Sequence, residues 1–353
     1  MNNIFVMHTQ YNLILAAGLA LQRPNDINDL VLYSEFMLND EMLKALKRVF
    51  NRVIVVTDHF TAQQKLLEEI KHIKRCLRRT QNLWGIVYER VYLSQERTFD
   101  LALYGKLRRN NKNLRCFAVE EDAYYSINNC MNDDDYVEKI TLKRKLANLI
   151  RRVALWRFSY NHKEVIYCYG MNSVYCGVNL LFPQYARREL LGKELIEVTG
   201  VALAKGIGAI YAERKVEYLE RPKYLLVFMD LMNRYNDKEK VKLVLEEIIE
   251  KCSESGRTVL LKYHPRETER LKTTGSIHEI DMIIPAEKVL LDLVGRDVLV
   301  LGNATTACRV AVKLGYKVYS ICKIDAPENK KMHEFMSRIG VQCITSSKEI
   351  ESC

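Results

Sequence analysis

Short apolar runs and stretches of helical period alternate along most of the chain. Ile4-Phe5-Val6-Met7, Leu30-Val31-Leu32-Tyr33, Val53-Ile54-Val55-Val56, Arg90-Val91-Tyr92-Leu93 and residues 114–119 are short and largely apolar. Helical spacing lies between them, at about residues 11–21, 41–50 and 99–107. A further helix that Thr61 can cap carries Leu66, Leu67, Ile70 and Ile73 on one side. Strands that are apolar throughout, separated by helices, predict a parallel sheet covered on both faces. The same alternation restarts at Tyr224-Leu225-Leu226-Val227-Phe228-Met229 and predicts strands at 258–263, 282–284, 298–301 and 317–321. Helices are predicted at 237–252, from Glu287 onward, and at 305–314. The expected architecture is therefore α/β, with two doubly wound, Rossmann-like domains. Residues 123–222 are less regular, and a linker is expected near 200–222. This divides the chain into an N-terminal domain, 1–210, containing a basic helical segment at 137–160, and a C-terminal domain, 211–353.

Composition supports this division. A chain of 353 residues suggests two domains, and 48% hydrophobic against 28% charged residues suits globular cores. No apolar run approaches the roughly 18 residues of a membrane span. Met1-Asn2-Asn3 carries no positive charge and residues 4–7 are too short for the core of a signal peptide. The ten cysteines are scattered with no CxxC pair, the pattern of reduced thiols in a cytoplasmic protein. With 54 Lys plus Arg against 44 Asp plus Glu, the net charge of +10 favours anionic partners. A nucleic acid, an acidic membrane surface and a phosphorylated or carboxylated substrate all fit.

Tandem doubly wound domains bind ligands in the crevice outside the carboxyl ends of their strands, so chemistry is sought on residues that follow strands. Glu120-Glu121-Asp122 follows residues 114–119. Adjacent carboxylates repel, which raises the pKa of at least one and suits a general base; a solvated acidic turn is the other reading. Lys262-Tyr263-His264-Pro265-Arg266 ends another strand. Pro265 forces His264 into extended backbone, and the flanking cations suit a phosphate. His264 would protonate a leaving phosphate or hold it as imidazolium, or else simply cap the junction. Gly302 and Asn303 permit a tight turn before Thr305 and Thr306, which open a helix: an anion site, or an ordinary N-cap. Glu287, after Pro285 and Ala286, would accept from a ribose diol or complement the helix dipole. His8, Thr9 and Gln10 follow the first strand and are acceptor-side candidates, with helix capping by His8 as the alternative. Residues 139–157 hold seven basic side chains and no acid among apolar ones. They would lie on an anionic bilayer, or cover the core with one face in water.

Glu120-Glu121-Asp122, His264-Pro265 and Thr305-Thr306 together resemble the three ordered motifs of bacterial sialyltransferases of the polysialyltransferase and glycosyltransferase family 52 type. Those motifs are acidic-acidic-Gly, Lys-x-His-Pro, and a Ser/Thr pair opening a helix. The resemblance spans most of the chain. It departs at Asp122 or Ala123, where the family has Gly, and in the threonines, where serine is commoner. It implies a GT-B fold, CMP-sialic acid as donor, inversion at the anomeric carbon, and no metal or cofactor. Glu120 or Glu121 would take the acceptor proton and His264 would hold the departing phosphate. Lys262, Pro265, Glu287, Asn303, Thr305 and Thr306 would bind the donor. The implied partners are a glycan acceptor (capsular polysaccharide or lipooligosaccharide) and an anionic membrane surface at 139–157, with no nucleic acid. Asp133-Asp134-Asp135 has the DxD spacing of metal-dependent glycosyltransferases but reads as a solvated loop, and Gly206-Ile207-Gly208 is no dinucleotide fingerprint. The rivals are a GT-B transferase using a UDP- or GDP-sugar, against which the 15 glycines and lone His-Pro site speak, and a non-catalytic basic protein of membrane surfaces or nucleic acid.

Overall fold

The computed structural model describes residues 1–34, 36, 38–56, 66–120, 142–158, 170–212, 223–271 and 277–350. They divide into two units, one reaching to Tyr211 and the other starting at Ala212.

The first unit is built on seven strands: β1 (Asn2–Met7), β2 (Ile27–Leu32), β3 (Arg52–Val55), β4 (Arg90–Leu93), β5 (Arg115–Val119), β6 (Tyr175–Leu180) and β7 (Glu194–Glu197). All pair in parallel, in the order β3-β2-β1-β4-β5-β6-β7. Strand order reverses between β1 and β4, which makes their carboxyl ends the switch point of the sheet. Among the described residues six helices accompany it: α1 (Gln10–Leu21), α2 (Asp40–Val49), α3 (Leu66–Arg79), α4 (Thr98–Arg108), α5 (Leu142–Ala154) and α6 (Gly200–Tyr211). Every residue of α1 from Asn12 to Ala20 is buried, as a helix apolar on all sides must be. Its cover is α6, and two glycines allow the close approach. A Cβ on Gly206 would stand 2.1 Å from the Ile14 carbonyl oxygen, and one on Gly18 would stand 2.4 Å from that of Ala202.

The sequence pattern departs from this unit in two places. Where a linker is expected near 200–222, residues 200–211 are α6 itself. The irregular stretch supplies β6 and β7. Gly177 and Asn179 weaken the strand signal of β6, yet Gly177 is required there. A Cβ would come 2.6 Å from the Glu194 carbonyl oxygen on β7.

The second unit repeats the topology with six parallel strands: β8 (Lys223–Met229), β9 (Thr258–Tyr263), β10 (Ile277–Glu279), β11 (Asp297–Gly302), β12 (Lys317–Ser320) and β13 (Val341–Cys343). Their order is β10-β9-β8-β11-β12-β13, with the switch point between β8 and β11. Its helices are α7 (Lys238–Glu254), α8 (Ala286–Asp292), α9 (Thr306–Lys313), α10 (Cys322–Asp325) and α11 (Lys330–Arg338). Leu225, Val227, Val259, Leu261, Leu299 and Leu301 meet Val241, Leu245 and Ile248 of α7 in its core. The strand predicted at 282–284 is displaced: β10 occupies 277–279. Residues 281–284 form a turn closed by the Ile284 N–H on the Asp281 carbonyl, with Ile283 exposed. Among the described residues no helix is long and apolar enough to cross a membrane.

Candidate functional site

The carboxyl edge of the second sheet gathers most of the residues that the sequence singles out. His264 follows β9, Asp230 follows β8 and Asn303 follows β11, three neighbouring strands. At a strand spacing of about 4.8 Å, the ends of β9 and β11 lie roughly 10 Å apart across β8. His264 is half-buried. Its Nδ1 accepts the Arg266 N–H at 3.2 Å, which leaves the ring proton on Nε2. Burial holds its pKa below the ordinary 6.5; Asp230 opposes that shift, while Arg266, Arg234 and Lys262 reinforce it. The loop behind it is tied down by Glu267, buried, whose carboxylate accepts the N–H groups of Met232, Thr268 and Glu269 at 2.5, 2.7 and 2.7 Å. Pro265 and Arg266 are exposed on the turn.

On the other side of β8, Thr305 is the N-cap of α9, its hydroxyl accepting the Cys308 N–H at 3.4 Å. Thr306 Oγ1 accepts from the guanidinium of Arg309 at 3.3 Å, and Arg309 is buried under this first turn. A cation thus adds to the positive end of the helix dipole where the first amides of α9 emerge. Asn303 is committed to the loop. Its Oδ1 accepts the Ala304 N–H at 2.9 Å and its Nδ2 donates to Asp325 at 2.9 Å. Asp325 also accepts the Asn236 N–H at 2.8 Å, so one buried carboxylate joins the segments that follow β8, β11 and β12. Lys262 is buried as well. Its Nζ donates to the carbonyls of Tyr263 and Met282, both at 3.1 Å, so it braces the turn at 281–284. Burial lowers its pKa, opposed by the charges of Asp281 and Glu287. Glu287, half-buried in the first turn of α8, has its pKa raised by burial against its own N–H and the charge of Lys262.

At the carboxyl edge of the first sheet the structure describes one of the adjacent acids. Glu120 is fully buried. Its carboxylate accepts the Leu181 N–H at 2.7 Å and the Tyr11 hydroxyl at 3.2 Å, and its carbonyl accepts from Asn12 Nδ2 at 3.1 Å. It clamps the end of β5 to the end of β6 and the start of α1. Glu121 and Asp122 lie outside the described residues, as do Ala123, the cap expected at Thr61 and Asp133-Asp134-Asp135. His8 is also fully buried, with Nε2 2.8 Å from Asp100 Oδ1 and its ring tilted on Tyr33. Thr9 is the N-cap of α1, in a reciprocal capping box with Asn12. Gln10 opens α1 and accepts from the Tyr211 hydroxyl at 3.3 Å.

Two acids that the sequence reading passes over obey the same strand-end rule. Asp230 directly follows β8; its carboxylate accepts the Leu231 N–H at 2.8 Å and lies 3.8 Å from Arg234. Glu96 follows β4 at the switch point of the first sheet. It accepts the Gly170 N–H at 3.1 Å and a 3.4 Å hydrogen bond from Asn172. Burial raises its pKa to about 7 against those donors and the charge of Lys193. Among the described residues no three His, Cys, Asp or Glu side chains are grouped to hold a metal ion.

No protein-family model and no curated protein sequence matches the chain. Solved structures do. The α/β-galactoside α-2,3-sialyltransferase of the luminous marine bacterium Photobacterium phosphoreum is similar with a TM-score of 0.56 at 11% identity, over 99% of each chain. The glycosyltransferase of kitacinnamycin gives 0.55 at 8% identity, over 99% of this chain and 87% of its own. UDP-GlcNAc 2-epimerase from Methanocaldococcus jannaschii gives 0.54 at 14% identity, over 98% and 89%. At such identities the likeness is one of fold. The two parallel-sheet units have the GT-B type of architecture found in glycosyltransferases and sugar-nucleotide epimerases.

Proposed function

We propose that the chain is a glycosyltransferase, and within that class a bacterial sialyltransferase. It moves sialic acid from CMP-sialic acid to a glycan acceptor with inversion, without a metal. The observation that supports this reading best is the edge formed by β9, β8 and β11. An imidazole with its proton on Nε2 and the first turn of a helix backed by a buried guanidinium flank one central strand. Such a pair suits the one phosphate of CMP, and the protein with the 0.56 TM-score is itself named a sialyltransferase.

The acceptor oxygen attacks the anomeric carbon as the bond from that carbon to the phosphate oxygen breaks. The electron pair leaves with CMP, where His264 Nε2–H and the first amides of α9 stabilise it. The acceptor proton goes to a carboxylate of the first unit. Glu120 already serves Leu181 and Tyr11, so the reading gives the proton to Glu121. Lys262 and Asn303 shape the donor loops, and Glu287 meets the ribose. The acceptor is read as a capsular polysaccharide or lipooligosaccharide assembled in the cytoplasm.

The test is turnover and binding across CMP-, UDP- and GDP-sugars in EDTA. Sialyl transfer or slow hydrolysis of CMP-sialic acid alone is expected. Consumption of UDP- or GDP-sugars only, or a metal requirement, overturns the donor assignment. Loss of turnover in Glu96→Gln but not in Glu121→Gln would move the base to Glu96.

A further inference from the structure

Helix α5 reverses the ordinary arrangement of a surface helix. At about 100° per residue, Leu142, Leu146, Leu149, Ile150 and Val153 fall within an arc of roughly 100°. That arc points outward: Leu142 is 83% exposed, Val153 67%, and Trp156 just beyond the helix 63%. The opposite side carries the attachment. Asn148 is buried, Leu155 is buried in the core, and Arg151 makes a two-pronged ion pair with Glu69 of α3 at 2.7 and 3.0 Å. Arg109 adds bonds to the carbonyls of Trp156 and Arg157 at 2.8 and 2.6 Å. The helix is thus held firmly, with its apolar face turned away from the body.

Exposed cations border that face. Lys143 lies on one flank, Lys145 and Arg152 on the other, Arg157 follows Trp156, and residues 139–157 hold no acid. An apolar stripe flanked by cations is the pattern of a helix that lies in the interface of an anionic bilayer. We propose that the outward face of α5, completed by Trp156, is a docking surface for an anionic phospholipid bilayer, the apolar stripe entering the acyl boundary and the four cations meeting headgroup phosphates. Charge selects this occupant. A second copy of the same face would bring like charges together with no acid to offset them, and a nucleic acid offers nothing to an apolar stripe of this width. The inference stands independently of the sialyltransferase reading.

The experiment is co-sedimentation of the full chain with phosphatidylglycerol vesicles and with phosphatidylcholine vesicles, at 0.1 M and 0.5 M salt. Strong binding to the first, weak binding to the second and loss at high salt are expected. Lys143→Gln, Lys145→Gln and Arg152→Gln should each weaken binding about five-fold. Leu146→Ser combined with Val153→Ser should weaken it at least ten-fold with the melting temperature unchanged, since both side chains are in water without a membrane. Tryptophan emission should shift to the blue on phosphatidylglycerol vesicles, and the shift should vanish in Trp156→Phe. Equal binding to both lipids, indifference to these substitutions, or an absent Trp156 shift overturns the proposal. So does a dimer abolished by Leu146→Ser without vesicle binding, or an RNA affinity that the basic substitutions remove while vesicles are ignored.

Discussion

Replacing Glu120 with glutamine separates a structural carboxylate from a catalytic one. In the wild type, its buried carboxylate accepts the Leu181 amide at 2.7 Å and the Tyr11 hydroxyl at 3.2 Å, among other contacts. A glutamine carbonyl can still accept from Leu181, and the Tyr11 hydroxyl can rotate to accept from the new amide. Two hydrogen bonds to a charged group, worth about 1.5–3 kcal/mol each, then become neutral ones worth about 0.5–1.5 kcal/mol. The expected loss is about 2 kcal/mol. For a unit of this size that lowers the melting temperature by roughly 4–8 °C. Glu120→Ala strands both donors and should cost about 2–6 kcal/mol. The assay pairs thermal melting by circular dichroism with initial rates of sialyl transfer below the transition. Glu120→Gln is expected to melt early and keep most of its rate, while Glu121→Gln loses turnover. If Glu120→Gln melts within a degree of wild type, the clamp reasoning is wrong. A rate loss of 10²-fold or more with normal melting would make Glu120 the base.

Further outcomes follow from the same geometry. Asparagine at 264 keeps an acceptor near the Nδ1 position for Arg266 but lacks the Nε2 donor, so melting should hold while the rate falls about 10²–10⁴-fold. The ring pKa is held below 6.5 by burial and opposed by Asp230. Protonation below that lowered value keeps the Nε2 donor and adds the charge that holds a departing phosphate, so wild-type kcat/KM should rise as pH falls through it, and Asp230→Asn should move the break lower still; a break at or above pH 6.5 refutes its assignment to His264. Gly206→Ala puts a methyl 2.1 Å from the Ile14 carbonyl oxygen. Overpacking of about 1–3 kcal/mol should outweigh the roughly 1 kcal/mol of helix propensity gained, and an unchanged or raised melting temperature would contradict the crossing described. Glu96, with its pKa raised from 4.5 to about 7, holds in the fold a proton that the unfolded chain releases. Stability should thus fall as pH rises from 4.5 to 7, and Glu96→Gln should flatten that slope in melts across the range; an unaltered slope would place the titration elsewhere.

Much of the frame was legible because parallel strands covered on both faces are apolar without alternation. The bounds of β9 read directly from Thr258-Val259-Leu260-Leu261-Lys262-Tyr263, and Pro265 marks where His264 leaves the sheet. What the sequence did not show was set by partners distant along the chain. β10 lies five residues before the predicted strand because Ile283 is apolar yet faces solvent. Gly177 and Gly206 of α6 read as irregular chain, although close packing against β7 and α1 is why glycine stands there. Lys262, a ligand cation by sequence, is taken by the Met282 carbonyl twenty residues away. Glu120 was one of two adjacent acids by sequence; only the meeting of β5, β6 and α1 shows that it lies inside. Asp230 and Glu96 satisfy the strand-end rule equally well, but each is a lone acid without a charged run to mark it.

The cover that α6 lays over α1 has a consequence during synthesis. Residues 10–21 leave the ribosome some 180 residues before residues 200–211, which at about 5–20 residues per second is on the order of 10–40 s. For that interval an almost wholly apolar helix has no lid. A growing chain in this condition offers apolar surface to other chains at the tunnel mouth, and a chain that terminates before Gly200 keeps it exposed.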